Sequence, residues 1–181
     1  YKLRLDPTEE QRVRFEEEAR AARWAYNTYL NHWETCQTEW LRYRNELISQ
    51  GMSKAEATEK TRKHSANAPE LKAMSWKTFS IERITPLRKE HRRAEELLHE
   101  LSNSELSALQ RNTKVNELKQ LTLWNDAKGI DGIHPWVHKV HVRSLTTGLK
   151  YADSAIHNYL ESFNSGDTES RVGKPRYKRS N

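Results

Sequence analysis

The chain has 181 residues, with 31 Lys and Arg against 25 Asp and Glu and a formal charge of +6. No stretch approaches the ~20 consecutive apolar residues of a membrane span. Six Trp, seven Tyr and three Phe set it apart from disordered chains. Cys36 is the only cysteine, which excludes an internal disulfide and a Cys-based zinc site. These features describe a mainly helical, cytoplasmic protein with no membrane partner. Its opening at Tyr1 and its end at Asn181, inside a basic run, read as a piece of a longer protein or a trimmed form of one.

Tyr1, Leu3 and Leu5 alternate with Lys2 and Arg4, the period of a strand. Asp6-Pro7 breaks that period, and Thr8-Glu9-Glu10-Gln11 has the form of a capping box that opens a helix. From Phe15 to Leu47 the residues Phe15, Ala19, Ala22, Tyr26, Tyr29, Trp33, Cys36, Trp40, Tyr43 and Leu47 recur at helical spacing. No Pro or Gly intervenes before Gly51, so one helix of some 40 residues is predicted, about 60 Å long. Trp24, Trp33 and Trp40 are all expected in its core. The aromatic seam suits packing within the chain better than a Leu-rich coiled coil.

Ser53-Lys54-Ala55-Glu56 predicts a second capping box and a short basic helix to about His64. Ser75 caps a segment with Trp76 and Phe79, and Pro86 kinks or restarts the helix that continues to Leu101. After a turn at Ser102–Ser104, a helix with Leu106, Leu109, Leu118, Leu121 and Trp124 is expected. A loop at Lys128–Gly132 follows. Pro135 then opens a long helix to about Phe163 on the stripe Leu145, Leu149, Ala152, Ile156, Tyr159 and Phe163. The exit from Val172 to Lys178 is too short to assign, though it could enter a strand and pair back with the first one.

On that last helix His134, His138 and His141 would share one face, but no Cys or suitably placed carboxylate completes a metal site. No Gly-rich phosphate loop or nucleophile elbow occurs, so the chain reads as non-catalytic, with neither metal nor cofactor. Nucleic-acid binding has better support. Lys and Arg interleave with Trp and Tyr, and Arg171, Lys174, Arg176, Lys178 and Arg179 fall within nine residues.

Three blocks in order resemble the N-terminal part of the TnpB transposon-encoded RNA-guided nucleases and the related type V CRISPR effectors. They are Leu3-Arg4-Leu5-Asp6-Pro7-Thr8-Glu9-Glu10-Gln11, then Ala22-Arg23-Trp24-Ala25-Tyr26-Asn27-Thr28-Tyr29-Leu30, then the helix from Leu145 to Tyr159 with its exit Gly173-Lys174-Pro175-Arg176-Tyr177-Lys178. Asp6, Arg20 and Lys174 depart from the family's usual Tyr, Gly and aromatic. The stretch from about Arg88 to Trp136 has no counterpart in the compact family pattern.

The resemblance implies a helical bundle inserted after the first strand of a β-barrel wedge domain, in a bacterial or archaeal protein. Residues 1–6 would be that strand, 7–166 the recognition domain and 167–181 a basic exit leading back to the wedge. It implies guide RNA and target DNA as partners, with the heteroduplex gripped by its backbone and a short flanking DNA motif read. The motif-reading positions fall on Ser75, Trp76, Ser80, Val142 and Thr146. Val142 and Thr146 stand where the family has Lys and Gln, so the motif read should differ. Lys77, Arg83, Arg143, Lys150, Arg176 and Lys178 are the expected backbone contacts, and Arg23 and Asn27 are expected to hold structure. The family's nuclease carboxylates and zinc ribbon lie outside this stretch. A helical protein-interaction adaptor and a conventional helix-turn-helix DNA binder remain alternatives. The unbroken helical stripe favours the first, while no short two-helix unit with a tight Gly turn supports the second.

Overall fold

The computed structural model describes residues 6–126, 130, 134–164 and 171–179. The expected strand at Tyr1–Leu5 and most of the loop at Lys128–Gly132 lie outside the described residues. Among the described residues the regular structure is helical, with no strand. The chain divides into two compact units, one of residues 1–79 with 142–181 and one of residues 80–141.

The first unit is organised by α1, Glu9–Ser49. Its start follows from Thr8, whose hydroxyl accepts from the Gln11 amide while the Gln11 side chain accepts from the Thr8 amide. Its end follows from Gly51, which takes φ 96°. That conformation lets the Met52 and Gly51 amides reach back to the Leu47 and Ile48 carbonyls at 3.2 and 3.0 Å. The helix α2, Lys54–Ser65, opens on the reciprocal Ser53–Glu56 cap. It lies against α1 with His64 stacked on Tyr43, ring centroids 4.6 Å apart.

A 3-10 turn at Pro69–Leu71 and the short α3, Trp76–Phe79, lead out of the unit. The chain returns as α7, Val142–Asn164, the main packing partner of α1. The two helices touch at Gly148, where a Cβ would run into the Ala22 carbonyl and lie 3.1 Å from the Ala25 Cβ. Leu145, Leu149, Ala152 and Ile156 of α7 are buried with Ala21, Ala25, Tyr29, Leu30 and Trp33 of α1. The Tyr29 hydroxyl sits 2.7 Å from both the Asp153 carboxylate and the Met74 carbonyl. Burial, then Asp153, pushes its pKa up. The Met74 amide donates to His32 Nε2 at 3.1 Å, so α1 holds the approach to α3 through two side chains.

In the second unit the chain passes through a π turn, Ser80–Ile84, into α4, Thr85–Leu101. Pro86 lacks an amide hydrogen and its ring would clash with the carbonyl four residues back. The wider turn removes that conflict, and the Thr85 hydroxyl donates to the Ser80 carbonyl at 3.0 Å. Ala94, Leu97 and Leu101 of α4 bury against Leu118 of α5, Ala108–Lys119, with α6, Thr122–Asp126, alongside. Arg93 forks onto Glu117 at 2.6 and 2.9 Å, and Lys114 pairs with Glu100.

Several expectations are corrected. The last helix begins at Val142, seven residues after Pro135. Residues 134–141 form a turn segment held by α4. Arg88 donates to the Val137, Val140 and His138 carbonyls at 2.7, 2.8 and 3.1 Å, and His91 Nδ1 accepts from the Trp136 and Val137 amides at 3.0 and 3.3 Å. With its backbone groups taken by side chains, the segment has no use for a helical ladder. His134, His138 and His141 therefore do not share a helix face; His138 Nε2 instead meets Glu95 at 2.6 Å.

The helix expected over Leu106–Trp124 is two, and Leu109 is exposed. Of the three α1 tryptophans only Trp33 is buried, with Trp24 and Trp40 half-buried. Phe15, expected on the seam, is 56% exposed. Residues 171–179 form no strand.

Candidate nucleic-acid interface

Trp76 stands at the start of α3. Ser75 caps that turn, its Oγ accepting from the Thr78 amide at 3.2 Å and lying 3.0 Å from the Thr78 hydroxyl. The Trp76 ring is half-buried and faces two ammonium groups, Lys150 Nζ at 4.8 Å from its centroid and Lys77 Nζ at 5.8 Å. Cations are drawn to such a ring by its quadrupole.

Lys150 is carried by α7, and Thr146 and Val142 precede it by four and eight residues, in the same row of that helix. Thr146 donates to the Arg143 carbonyl at 3.1 Å, Val142 is 50% exposed, and Arg143 is exposed. The first unit thus gathers Trp76, Lys77 and Lys150 and aligns Thr146 and Val142 with them. Ser80 and Arg83 belong to the π turn of the second unit; Ser80 is half-buried and Arg83 exposed.

The basic exit lies along α1 in the opposite sense to the helix. Lys174 Nζ meets Glu34 at 2.8 Å, and the Tyr177 hydroxyl donates to the other Glu34 oxygen at 2.6 Å. Lys174 first, then Tyr177, hold the Glu34 carboxyl below its ordinary pKa. The same contact pushes the Tyr177 hydroxyl up to about 12. The ionised Glu34 is thereby paired with Lys174, while Arg176 and Lys178 are exposed. Lys178 Nζ lies 5.2 Å from the Tyr26 ring centroid, and the Arg171 guanidinium 5.4 Å from that of Phe163.

Charge follows the same division. The first unit carries 21 basic and 16 acidic residues, the second 10 and 9. Asn27 is hydrogen-bonded to the backbone of Lys178, and Arg23 lies on α1 four residues before it. Tyr151 was not singled out by its sequence pattern. It falls between the stripe positions Leu149 and Ala152 and is 67% exposed while both of those are fully buried. The signal was present: a large ring out of phase with an apolar stripe.

Together these features define a helical protein with exposed cations set against aromatic rings. Residues 1–38 match the family model of a helix-turn-helix domain, HTH_OrfB_IS605. The match spans 38 of the 181 residues and links the chain to the TnpB/IS605 transposase family. In the described part of that stretch, residues 9–38 all belong to one uninterrupted helix, α1. No curated protein and no solved structure matches the chain. No helix among the described residues is long and apolar enough to cross a membrane.

Proposed function

We propose that this chain is the helical recognition part of an RNA-guided DNA-targeting protein. The matched domain type supports DNA as a partner, since helix-turn-helix domains are DNA-binding modules. The observation that carries the reading is the Trp76 ring with Lys77 and Lys150 against it, and Thr146 and Val142 in the same row of α7 as Lys150.

In this reading Lys77, Arg83, Arg143, Lys150, Arg176 and Lys178 neutralise phosphates of a guide RNA–target DNA heteroduplex. The protein grips that duplex by its shape, and base pairing reads the sequence. Ser75, Trp76, Ser80, Val142 and Thr146 meet the flanking DNA. Val142 offers a methyl surface of the kind that packs on a thymine methyl, and the Thr146 hydroxyl, its proton given to the Arg143 carbonyl, can accept at a base edge. The chain supplies no cofactor, and any strand cleavage falls to other parts of the protein. The packing of α7 and α2 on the aromatic side of α1 speaks against an adaptor helix open to a foreign partner.

The test is binding to an RNA–DNA heteroduplex, duplex DNA and single-stranded RNA across a salt series. Tightest binding to the heteroduplex, with a steep negative slope of log affinity against log salt, is expected. Sequence-specific binding to duplex DNA alone would favour the conventional helix-turn-helix reading. No binding at ~50 mM salt, where phosphate contacts are strong, removes both.

A further inference from the structure

Where α7 touches α1 there is a groove of about 450 Å³. Its floor is Ala22, Gly148 and Ala155, small enough to let the helix backbones come close. Two rings line it: Tyr26, 6% exposed, forms a wall, and Tyr151, 67% exposed, stands at the lip. Arg23 from α1 and Lys178 from the chain exit bring two cations, and no acidic residue is among those described as lining it. Lys178 is fixed there by Asn27, which holds its amide and its carbonyl.

We infer that this groove seats one unpaired nucleotide of a single-stranded stretch of nucleic acid, its base stacked on Tyr151 and its phosphate between Arg23 and Lys178. A ring left in water beside two cations has the parts of a single-strand platform, which combines base–aromatic stacking with backbone charge. A paired base is already stacked in its duplex and would have to leave it to reach Tyr151. RNA and single-stranded DNA share the chemistry required. The inference rests on the nucleic-acid reading above; its discriminating residues, Tyr151 and Arg23, lie outside the contacts proposed there, and only Lys178 is shared with them.

The experiment uses ten-nucleotide single-stranded RNA and DNA, each with one 2-aminopurine, and a heteroduplex without it. Wild type, Tyr151→Ala, Tyr151→Phe and Arg23→Gln are compared. Stacking on Tyr151 should quench the 2-aminopurine. Tyr151→Ala should abolish the quench and weaken single-strand binding about tenfold, with heteroduplex affinity unchanged. Tyr151→Phe should behave as wild type, and Arg23→Gln should lower the single-strand salt slope by about one unit. The strand whose binding responds to Tyr151 identifies the source. If Tyr151→Ala leaves quench and single-strand affinity intact while the heteroduplex still binds, the groove assignment is overturned and the broader reading stands. If no nucleic acid binds, both fall.

Discussion

Asn27 pairs with the backbone of Lys178 from both sides: its Nδ2 donates to the Lys178 carbonyl at 3.0 Å, and the Lys178 amide donates to its Oδ1 at 2.8 Å. The two residues are 151 positions apart. A carboxamide does here what a neighbouring strand would do, so the exit needs no ladder to be held. About two turns further along α1, Glu34 takes Lys174 and Tyr177. These contacts decide where the exit's cations lie, and so join a helix-capping type of chemistry to the shape of a binding surface.

Asn27→Ala, or Asn27→Asp with its lost donor, should release the exit. Hydrogen exchange at the Lys178 amide should quicken, and trypsin should cut between Lys174 and Arg179 several times faster. Global stability should fall by about 1–3 kcal/mol, because two hydrogen bonds are lost and each contributes about 0.5–1.5 kcal/mol. Unchanged exchange at Lys178 would mean that Glu34 alone holds the segment.

Gly148 sets the distance between α1 and α7. A methyl group there meets the Ala22 carbonyl, which is helix backbone and cannot swing aside. Gly148→Ala should therefore destabilise the first unit by about 1–3 kcal/mol, the usual cost of overpacking, and Gly148→Val by more. At Gly173 an added Cβ would meet nothing within 4 Å, so Gly173→Ala is the neutral control. Equal denaturant midpoints for the two alanine variants would contradict the close contact.

Local chemistry explains what could be read ahead of the structure. The caps at Thr8 and Ser53 use partners three residues away, and Gly51 ends α1 by its own conformation, so these boundaries are written where they occur. The start of α7 was not legible. Pro135 has the form of a first helical residue, but the groups that decide its segment are Arg88 and His91, 45 to 52 positions distant. Trp40 keeps the spacing of the stripe and Trp24 does not, yet both are half-buried, because the residues buried on α1 toward α7 are Ala21, Ala25, Tyr29, Leu30 and Trp33. The candidate site was legible in part for the same reason. Thr146 and Lys150 align by spacing on one helix, whereas the approach of Lys150 to Trp76 depends on how the chain returns.

His91 makes the second unit sensitive to acid. Burial first, then the neighbouring charge of His138, lowers its pKa from 6.5 to about 4, with Glu90 acting in the other direction. Between those values the unfolded chain binds a proton that the folded chain refuses. Stability is thus complete above about 6.5 and is lost as pH falls toward about 4. The affected carboxyls, Glu95, Glu100 and Glu117, have pKa values lowered below 4.5 and titrate beneath most of that window. Urea midpoints should fall from pH 7 to pH 5 in wild type. In His91→Asn, whose amide oxygen can accept the same backbone amides without titrating, the decline should flatten. An equally steep decline in His91→Asn would assign the sensitivity to another group.

Trp76 and Lys150 face one another, but they should fail differently. Lys150 carries a charge to a phosphate in the proposed interface, so Lys150→Ala should lower the slope of log affinity against log salt by about one unit and weaken binding to all sequences alike. Trp76 is neutral. Trp76→Ala should cost about tenfold in affinity through lost stacking or packing, with the slope unchanged. Thr146→Val keeps the shape and removes the hydroxyl, so it should leave heteroduplex binding alone and change preference among flanking DNA sequences by about 1–3 kcal/mol, the scale of one good base contact. Fluorescence anisotropy at three salt concentrations with a panel of flanking sequences separates the three effects. If Lys150→Ala and Trp76→Ala lower affinity equally with no change in slope, this face serves the packing of α3 on α7, and the phosphate contacts lie elsewhere on the first unit.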